Sequence, residues 1–213
     1  MKVLICCLTY GNRPTDTLFN NIMQAGHPAE YVSINTEGIA RALNDGIDLM
    51  KYGQFDAVGF LANDIVEPAG WLKKKLNALQ TYPNAGVVAS SIHEPVTTIT
   101  AGHIIGNWLI SKRAIDAIGY FNEEFHPYGP IDLDYCDRIN AAGLLTYYAM
   151  DCHAEHPHSH AAGTEYGYDK AAMVAAFWSR HVEYGYRYRS GIKPIYMERH
   201  YDSTEEMKEY PTL

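Results

Sequence analysis

The sequence predicts an α/β fold, a mixed and mainly parallel sheet flanked by helices. Two observations carry this expectation. Over roughly the first ninety residues, short apolar runs alternate with segments of helical spacing, the pattern of strand–crossover–strand units. Three of those runs also end on polar residues, at Thr9, Asn35 and Asn63-Asp64. In open sheets of this kind ligands gather beyond the carboxyl ends of the strands.

Each element has its own warrant. Residues 2–8 read as a buried strand, because Val3-Leu4-Ile5 and Leu8 form a nearly continuous apolar run. Thr15 or Asp16 then caps a helix to about Ala25. Glu30 to Asn35 is a second strand. Glu37 to Tyr52 is helical, with Ile39, Leu43, Ile47 and Met50 on one side. Ala57 to Leu61 is a third strand. Pro68 opens a helix to about Leu79, in which Lys73-Lys74-Lys75 reads as a solvated face. Gly86 to Ser90 is a fourth strand. From about residue 96 the pattern changes. Residues 96–111 read as paired short strands broken by Gly102 and Gly106. Arg113 to Ile118 and Ile131 to Ala142 are helices closed by Gly119 and Gly143. Leu145 to Ala149 is a strand, and a further helix is expected over residues 169–181. The chain divides into one domain over residues 1–183 and a tyrosine-rich tail over 184–213, packed on the domain or on a partner.

Composition narrows the function classes. The chain has 213 residues, 47% of them hydrophobic, enough for a real core. Its net charge of −8 disfavours nucleic acid and acidic membrane as partners. The four cysteines form no CxxC pair, and alternation sends Cys6 and Cys7 to opposite sheet faces. That usage fits a reducing compartment, so a cytoplasmic protein is expected. The first apolar run stops at Thr9, too short for a signal peptide or membrane span. The GxSxG, GxxxxGK[ST] and GxGxxG patterns are missing, which weighs against serine hydrolase, P-loop and dinucleotide chemistry.

Three constellations remain. Asp64 is a carboxylate at a strand end, suited to a divalent cation that bridges phosphates, or else a turn residue before Pro68. Asp132, Asp134 and Arg138 sit on one helix. Asp134 and Arg138, spaced i, i+4, can pair, which leaves Asp132 as a base or ligand, or as a plain N-cap. His153, His156, His158 and His160 follow a strand. Imidazoles suit Mn, Zn or Fe, although the spacing matches neither HExxH nor a zinc finger.

Three ordered stretches together resemble a GT-A glycosyltransferase of the family 2 type. FLANDIVEPAGWL over Phe60–Leu72 resembles the family's metal-binding strand end and the helix after it. GNWLISKRAIDAIGYFNEEF over Gly106–Phe125 resembles the segment leading to the acceptor site. YGPIDLDYCDRINAAG over Tyr128–Gly143 resembles the family's acidic helix. The resemblance implies the Rossmann-like fold of nucleotide-diphospho-sugar transferases. It also implies inverting transfer from a nucleotide-sugar, with a UDP- or GDP-sugar as donor and a hydroxyl on an unidentified acceptor. By that likeness Asp64, with His156 and His158, would hold Mn²⁺ or Mg²⁺, and Asp132 would be the general base. Thr9, Asn35, Arg41 and Asn63 would line the nucleotide pocket. Apart from the likeness, Trp108 could stack on a sugar or another planar acceptor, and core packing explains it equally well. The sequence departs from the pattern at Ala62 and Ile131, where the family often has acids, and at Asn35, where it often has aspartate. Two other readings compete: a catalytically degenerate nucleotide- or carbohydrate-binding module, and a nucleotidyltransferase.

Overall fold

The structure is a computed structural model that describes residues 1–9, 15–92, 106–125 and 131–156. In chain order it runs β1 (Val3–Leu8), α1 (Asp16–Met23), β2 (Glu30–Ile34), α2 (Ile39–Gly53), β3 (Ala57–Ala62), α3 (Trp71–Thr81), β4 (Ala85–Ser91), β5 (Trp108–Ser111), α4 (Lys112–Ile118), a 3₁₀ turn (Glu123–Phe125), α5 (Ile131–Ala141) and β6 (Leu145–His153). The strands form one sheet in the order β2-β1-β3-β5-β4-β6. β5 runs antiparallel to both of its neighbours, while the β1–β2, β1–β3 and β4–β6 pairs are parallel. The expected mixed, mainly parallel sheet is therefore present.

Side-chain alternation divides the core into two layers. Leu4, Cys6, Val58, Phe60, Val87, Ala89 and Ile110 face one side and pack under α2, α4 and α5. Val3, Ile5, Cys7, Leu61, Val88 and Leu109 face the other and pack under α1 and α3. Each fully buried Leu, Ile or Val contributes about 1.5–3 kcal/mol by leaving water. On α2 the apolar stripe of Leu43, Ile47 and Met50 is buried, as its spacing requires. Gly46 lets that helix approach the sheet. A Cβ there would come within 2.5 Å of the Phe60 ring and 2.9 Å of Cys6 Sγ.

Several boundaries differ from the sequence expectation. The helix expected from Pro68 starts at Trp71, because residues 68–70 are committed to α1. Gly70 N–H donates to Gln24 O at 2.6 Å. Gly26, at φ +70°, lies so close that a Cβ on it would reach Gly70 Cα at 2.9 Å. The strand expected to stop at Ala149 continues to His153 through an irregular register, with Asp151 at φ +53°. Lys74 Nζ donates to the Asp151 carbonyl at 2.7 Å and steadies that kink. Of the short strands expected over 96–111, Trp108–Ser111 is observed; residues 93–105 lie outside the described residues, as do the 169–181 helix and the tail.

Lys75 overturns the reading of the lysine triplet as a solvated face. Its side chain is fully buried and paired with Glu67 at 2.9 Å. Lys75 follows Trp71 by four residues and Leu72 by three, so it lies on the apolar stripe of α3 rather than on its outer face. Arg138 and Asp134 do pair, with Nε donating to Oδ2 at 2.9 Å. Arg138 Nη1 also donates to the Ile118 carbonyl at 3.0 Å, and the Tyr135 hydroxyl donates to the Gly119 carbonyl at 3.2 Å. These bonds satisfy carbonyls left open at the end of α4 and pin α5 against it.

Cys6, Cys7, Cys136 and Cys152 are all free and buried. Burial pushes the Cys7 thiol from its ordinary 9.0 up to about 12, and it raises Cys6 and Cys152 as well. A folded-state pKa raised in this way favours the protonated thiol. Its stabilisation is complete below pH 9.0 and is lost as pH climbs toward 12. Native protein at pH 8 is expected to resist iodoacetamide at all four thiols, and unfolded protein to take four adducts by mass spectrometry. Rapid labelling of the native chain would contradict the burial.

Candidate active site at the carboxyl edge of the sheet

The polar residues flagged in the sequence fall along one edge of the sheet, where the parallel strands end. Thr9 follows β1 directly. Its N–H donates to the Ile34 carbonyl at 2.9 Å, and its hydroxyl lies 2.8 Å from Ser33 Oγ, so it fastens the ends of β1 and β2 together. Asn35 is exposed at the end of β2, and Arg41 is half-buried in the first turn of α2. Between them the Thr36 hydroxyl donates to the buried Asp45 carboxylate at 2.5 Å.

Asn63 and Asp64 form the turn that leaves β3. Asn63 is buried, and the Asp64 side chain is 13% exposed. The facing residue is His156, three positions past β6. Asp64 Oδ2 and His156 Nε2 lie 3.3 Å apart, although the residues are 92 positions apart in the chain. A short antiparallel bridge sets this distance. Val66 N–H donates to Glu155 O at 2.8 Å, and Glu155 N–H donates to Val66 O at 2.9 Å. Ala154 N–H, bonded to the Ser91 carbonyl at 2.8 Å, holds the same segment to the end of β4. Beside it, His153 Nδ1 lies 3.1 Å from Ser91 Oγ.

The carboxylate oxygen suits Mn²⁺ or Mg²⁺, and the imidazole nitrogen beside it favours a transition metal such as Mn²⁺ over Mg²⁺. Two neighbouring ligands held at about 2.1 Å from one ion sit roughly 3 Å from each other, so the observed pair fits a shared cation. Among the described residues no group of three or more His, Cys, Asp or Glu side chains gathers tightly enough to hold an ion alone. His158 lies outside the described residues.

Asp132 is half-buried in the first turn of α5. Ile131 beside it is a core residue at 9% exposure. Trp108, read from the sequence either as a substrate-stacking or as a core residue, is only 7% exposed. Its ring centroid lies 5.7 Å from that of Phe121 and 5.8 Å from that of Tyr135, which places it in an aromatic cluster of the core.

Sequence reasoning passed over several polar residues that build this edge. Asn44 of α2 is fully buried and clamps the loop before α5. Its Oδ1 accepts from Phe121 N–H at 2.8 Å, and its Nδ2 donates to the Phe121 carbonyl at 3.1 Å and to Glu123 Oε1 at 2.8 Å. Glu67, Ser90 and Asn107 were passed over as well, and Lys75 reads from the sequence as solvated. A polar side chain on an otherwise apolar stripe was the available signal, as for Lys75 between Trp71 and Leu79.

No protein-family profile matches the sequence, and a sequence search of curated proteins finds no match. Solved structures do match. The mannosyltransferase PcManGT from Pyrobaculum calidifontis, solved with GDP-Man and Mn²⁺, superposes with a TM-score of 0.55 at 14% identity, over 72% of this chain and 56% of that one. The catalytic domain of Drosophila β1,4-galactosyltransferase 7, solved with xylobiose, gives 0.55 at 13% identity, over 75% and 72%. A197 from STIV gives 0.51 at 13% identity, over 72% and 84%. Identities this low speak to the fold alone. Among the described residues no helix is long and apolar enough to cross a membrane. With its mixed six-stranded sheet and flanking helices, the chain has the GT-A-like fold of glycosyltransferases.

Proposed function

We propose that the protein is a metal-dependent inverting glycosyltransferase, moving a sugar from a nucleotide-diphosphate donor to a hydroxyl acceptor. The observation that carries this reading is the pairing of Asp64 with His156 at 3.3 Å, on the carboxyl edge of a glycosyltransferase-like sheet. Mn²⁺ or Mg²⁺ bound there would neutralise charge developing on the leaving diphosphate. Mg²⁺-type sites commonly take one or two protein ligands and complete their shell with water and phosphate oxygens. A two-residue holder is therefore chemically sufficient, and His158 is proposed as an added ligand.

The chain's own residues would do the rest. Thr9, Asn35 and Asn63, which follow β1, β2 and β3, and Arg41, in the first turn of α2, are assigned to the nucleotide. UDP- and GDP-sugars are the proposed donors. Asp132 is assigned as the base that takes the proton from the acceptor hydroxyl as the new glycosidic bond forms. Trp108, packed against Phe121 and Tyr135, is assigned to the core rather than to the sugar. Work in the cytoplasm and an acceptor other than nucleic acid complete the proposal.

Thermal stability measured across UDP, GDP, CDP, dTDP and their sugars, each with Mn²⁺ or with EDTA, tests the donor half. One nucleotide is expected to raise the melting temperature in Mn²⁺ and not in EDTA, since ligand at about 100 times its Kd stabilises by about 2.7 kcal/mol. Asp64→Asn is expected to erase that shift while melting within a few degrees of wild type. A flat panel, or a shift that survives in Asp64→Asn, would refute the metal assignment. Ligand-induced shifts without turnover would instead identify a binding module.

A further inference from the structure

One buried polar cluster takes no part in the proposed reaction. It lies on the α1/α3 side of the sheet, against the turn that carries Asp64. The Glu67 carboxylate is fully buried and receives three donors: Lys75 Nζ at 2.9 Å, Asn107 Nδ2 at 2.9 Å and Ser90 Oγ at 2.5 Å. Asn107 uses both of its acceptors too. Its Oδ1 takes the Ala62 N–H at 2.8 Å, and its backbone carbonyl takes Lys75 Nζ at 2.9 Å. Asn21, from α1, closes the cluster. Its Oδ1 accepts from Glu67 N–H at 2.9 Å, and its Nδ2 donates to the Ile65 carbonyl at 2.8 Å. The backbone is thus held at Ala62, at Ile65 and at Glu67, with Asn63 and Asp64 between these anchors.

We infer that Asn107, Glu67, Lys75 and Asn21 are positioning residues that fix the Asp64 carboxylate for its cation; this rests on Asp64 being a metal ligand. The energetic argument favours geometry over stability as their role. A buried ion pair is a weak source of net stability, because desolvation offsets most of the attraction, and apolar replacements of equal volume are often neutral. A fully satisfied polar network instead holds one arrangement of the groups it joins. This one joins β3, β4, β5, α1 and α3 at a single turn. Outer partners of this kind typically alter metal affinity by 10–100-fold when removed.

Asn107→Leu deletes both side-chain bonds while leaving Glu67 with Lys75 and Ser90. Free Mn²⁺ is titrated by electron paramagnetic resonance, with no nucleotide present, and backbone amide exchange is followed on the metal-free protein. The expected result is Mn²⁺ affinity weakened about 10–100-fold, with faster exchange at Ala62 and Glu67 and unchanged exchange in β1. Ile47→Val, a core deletion in the opposite layer, is expected to lower the melting temperature and leave Mn²⁺ affinity unchanged. Ser90→Ala removes one bond and serves if Asn107→Leu does not fold; a weakening of about threefold or more is expected. Unchanged Mn²⁺ affinity in a folded variant whose Ala62 amide has lost protection would overturn the inference and leave Asp64 as a ligand. Wild-type protein that binds no Mn²⁺, with the amides protected as described, would overturn the metal reading and the inference with it.

Discussion

Lys75→Met is expected to cost about 3–5 kcal/mol of folding stability, the range for stranding one member of a buried ion pair. For a chain of this size that corresponds to a fall in melting temperature of roughly 6–20 °C. The size of the effect follows from what remains behind. Glu67 keeps its hydrogen bonds from Ser90 and Asn107 but loses the ammonium paired with it, and both side chains are wholly shielded from water. The Asn107 carbonyl loses its donor as well. The ammonium's contact with the Trp71 ring, at 4.8 Å, disappears too, which is a smaller loss. Met conserves most of the apolar stem, so cavity formation is a minor part. Adding Glu67→Gln removes the stranded charge, and the double variant is expected to be more stable than the two single losses imply by about 1–3 kcal/mol. Chemical denaturation of the four proteins in the cycle decides the matter. A single variant that melts within 2 °C of wild type, taken as a rough threshold, would show the pair to be reachable by water.

Asp132→Asn is expected to lower turnover about 10²–10⁴-fold, the usual contribution of a positioned general base, and to leave binding of the nucleotide-sugar unchanged. The substitution keeps the shape and removes the proton acceptor. Position is the physical basis of the expectation. Asp132 stands in the first turn of α5, where the helix dipole favours the carboxylate. That helix is anchored by Ile131 in the core, by Tyr135 on the Gly119 carbonyl and by Arg138 on the Ile118 carbonyl. A base on so constrained a helix needs little reorganisation at the moment of transfer. The measurement is steady-state transfer with the donor found in the thermal panel, beside equilibrium binding of the same donor. Undiminished turnover would remove Asp132 as base. Loss of binding together with turnover would reassign it to donor recognition.

The β-strands and the helices on the amino-terminal half were legible because periodicity is a local property. Val3–Leu8 and Ala57–Ala62 carry runs that suit buried parallel strands, and the Leu43, Ile47, Met50 stripe suits a helix on a sheet. The split of Cys6 and Cys7 between the two layers followed from alternation alone. The Asp134–Arg138 pair followed from helical spacing. Misplaced boundaries have a common cause. Residues 68–70 and 150–153 take their conformation from distant partners, Gln24 for the first and Lys74 for the second.

Taken alone, the sequence determined the α/β class, the order of its elements and which polar residues end the strands, because these depend on neighbours a few positions apart. Tertiary structure decided the rest. It brought Asp64 to His156 across 92 positions through the Val66–Glu155 bridge. It supplied Lys75, set on the inner stripe of α3, with Glu67 as its partner. It placed the Trp108 ring against the stacked rings of Phe121 and Tyr135. Each of these outcomes depends on which strands lie side by side and on what a buried charge finds across the gap, and chain spacing encodes neither.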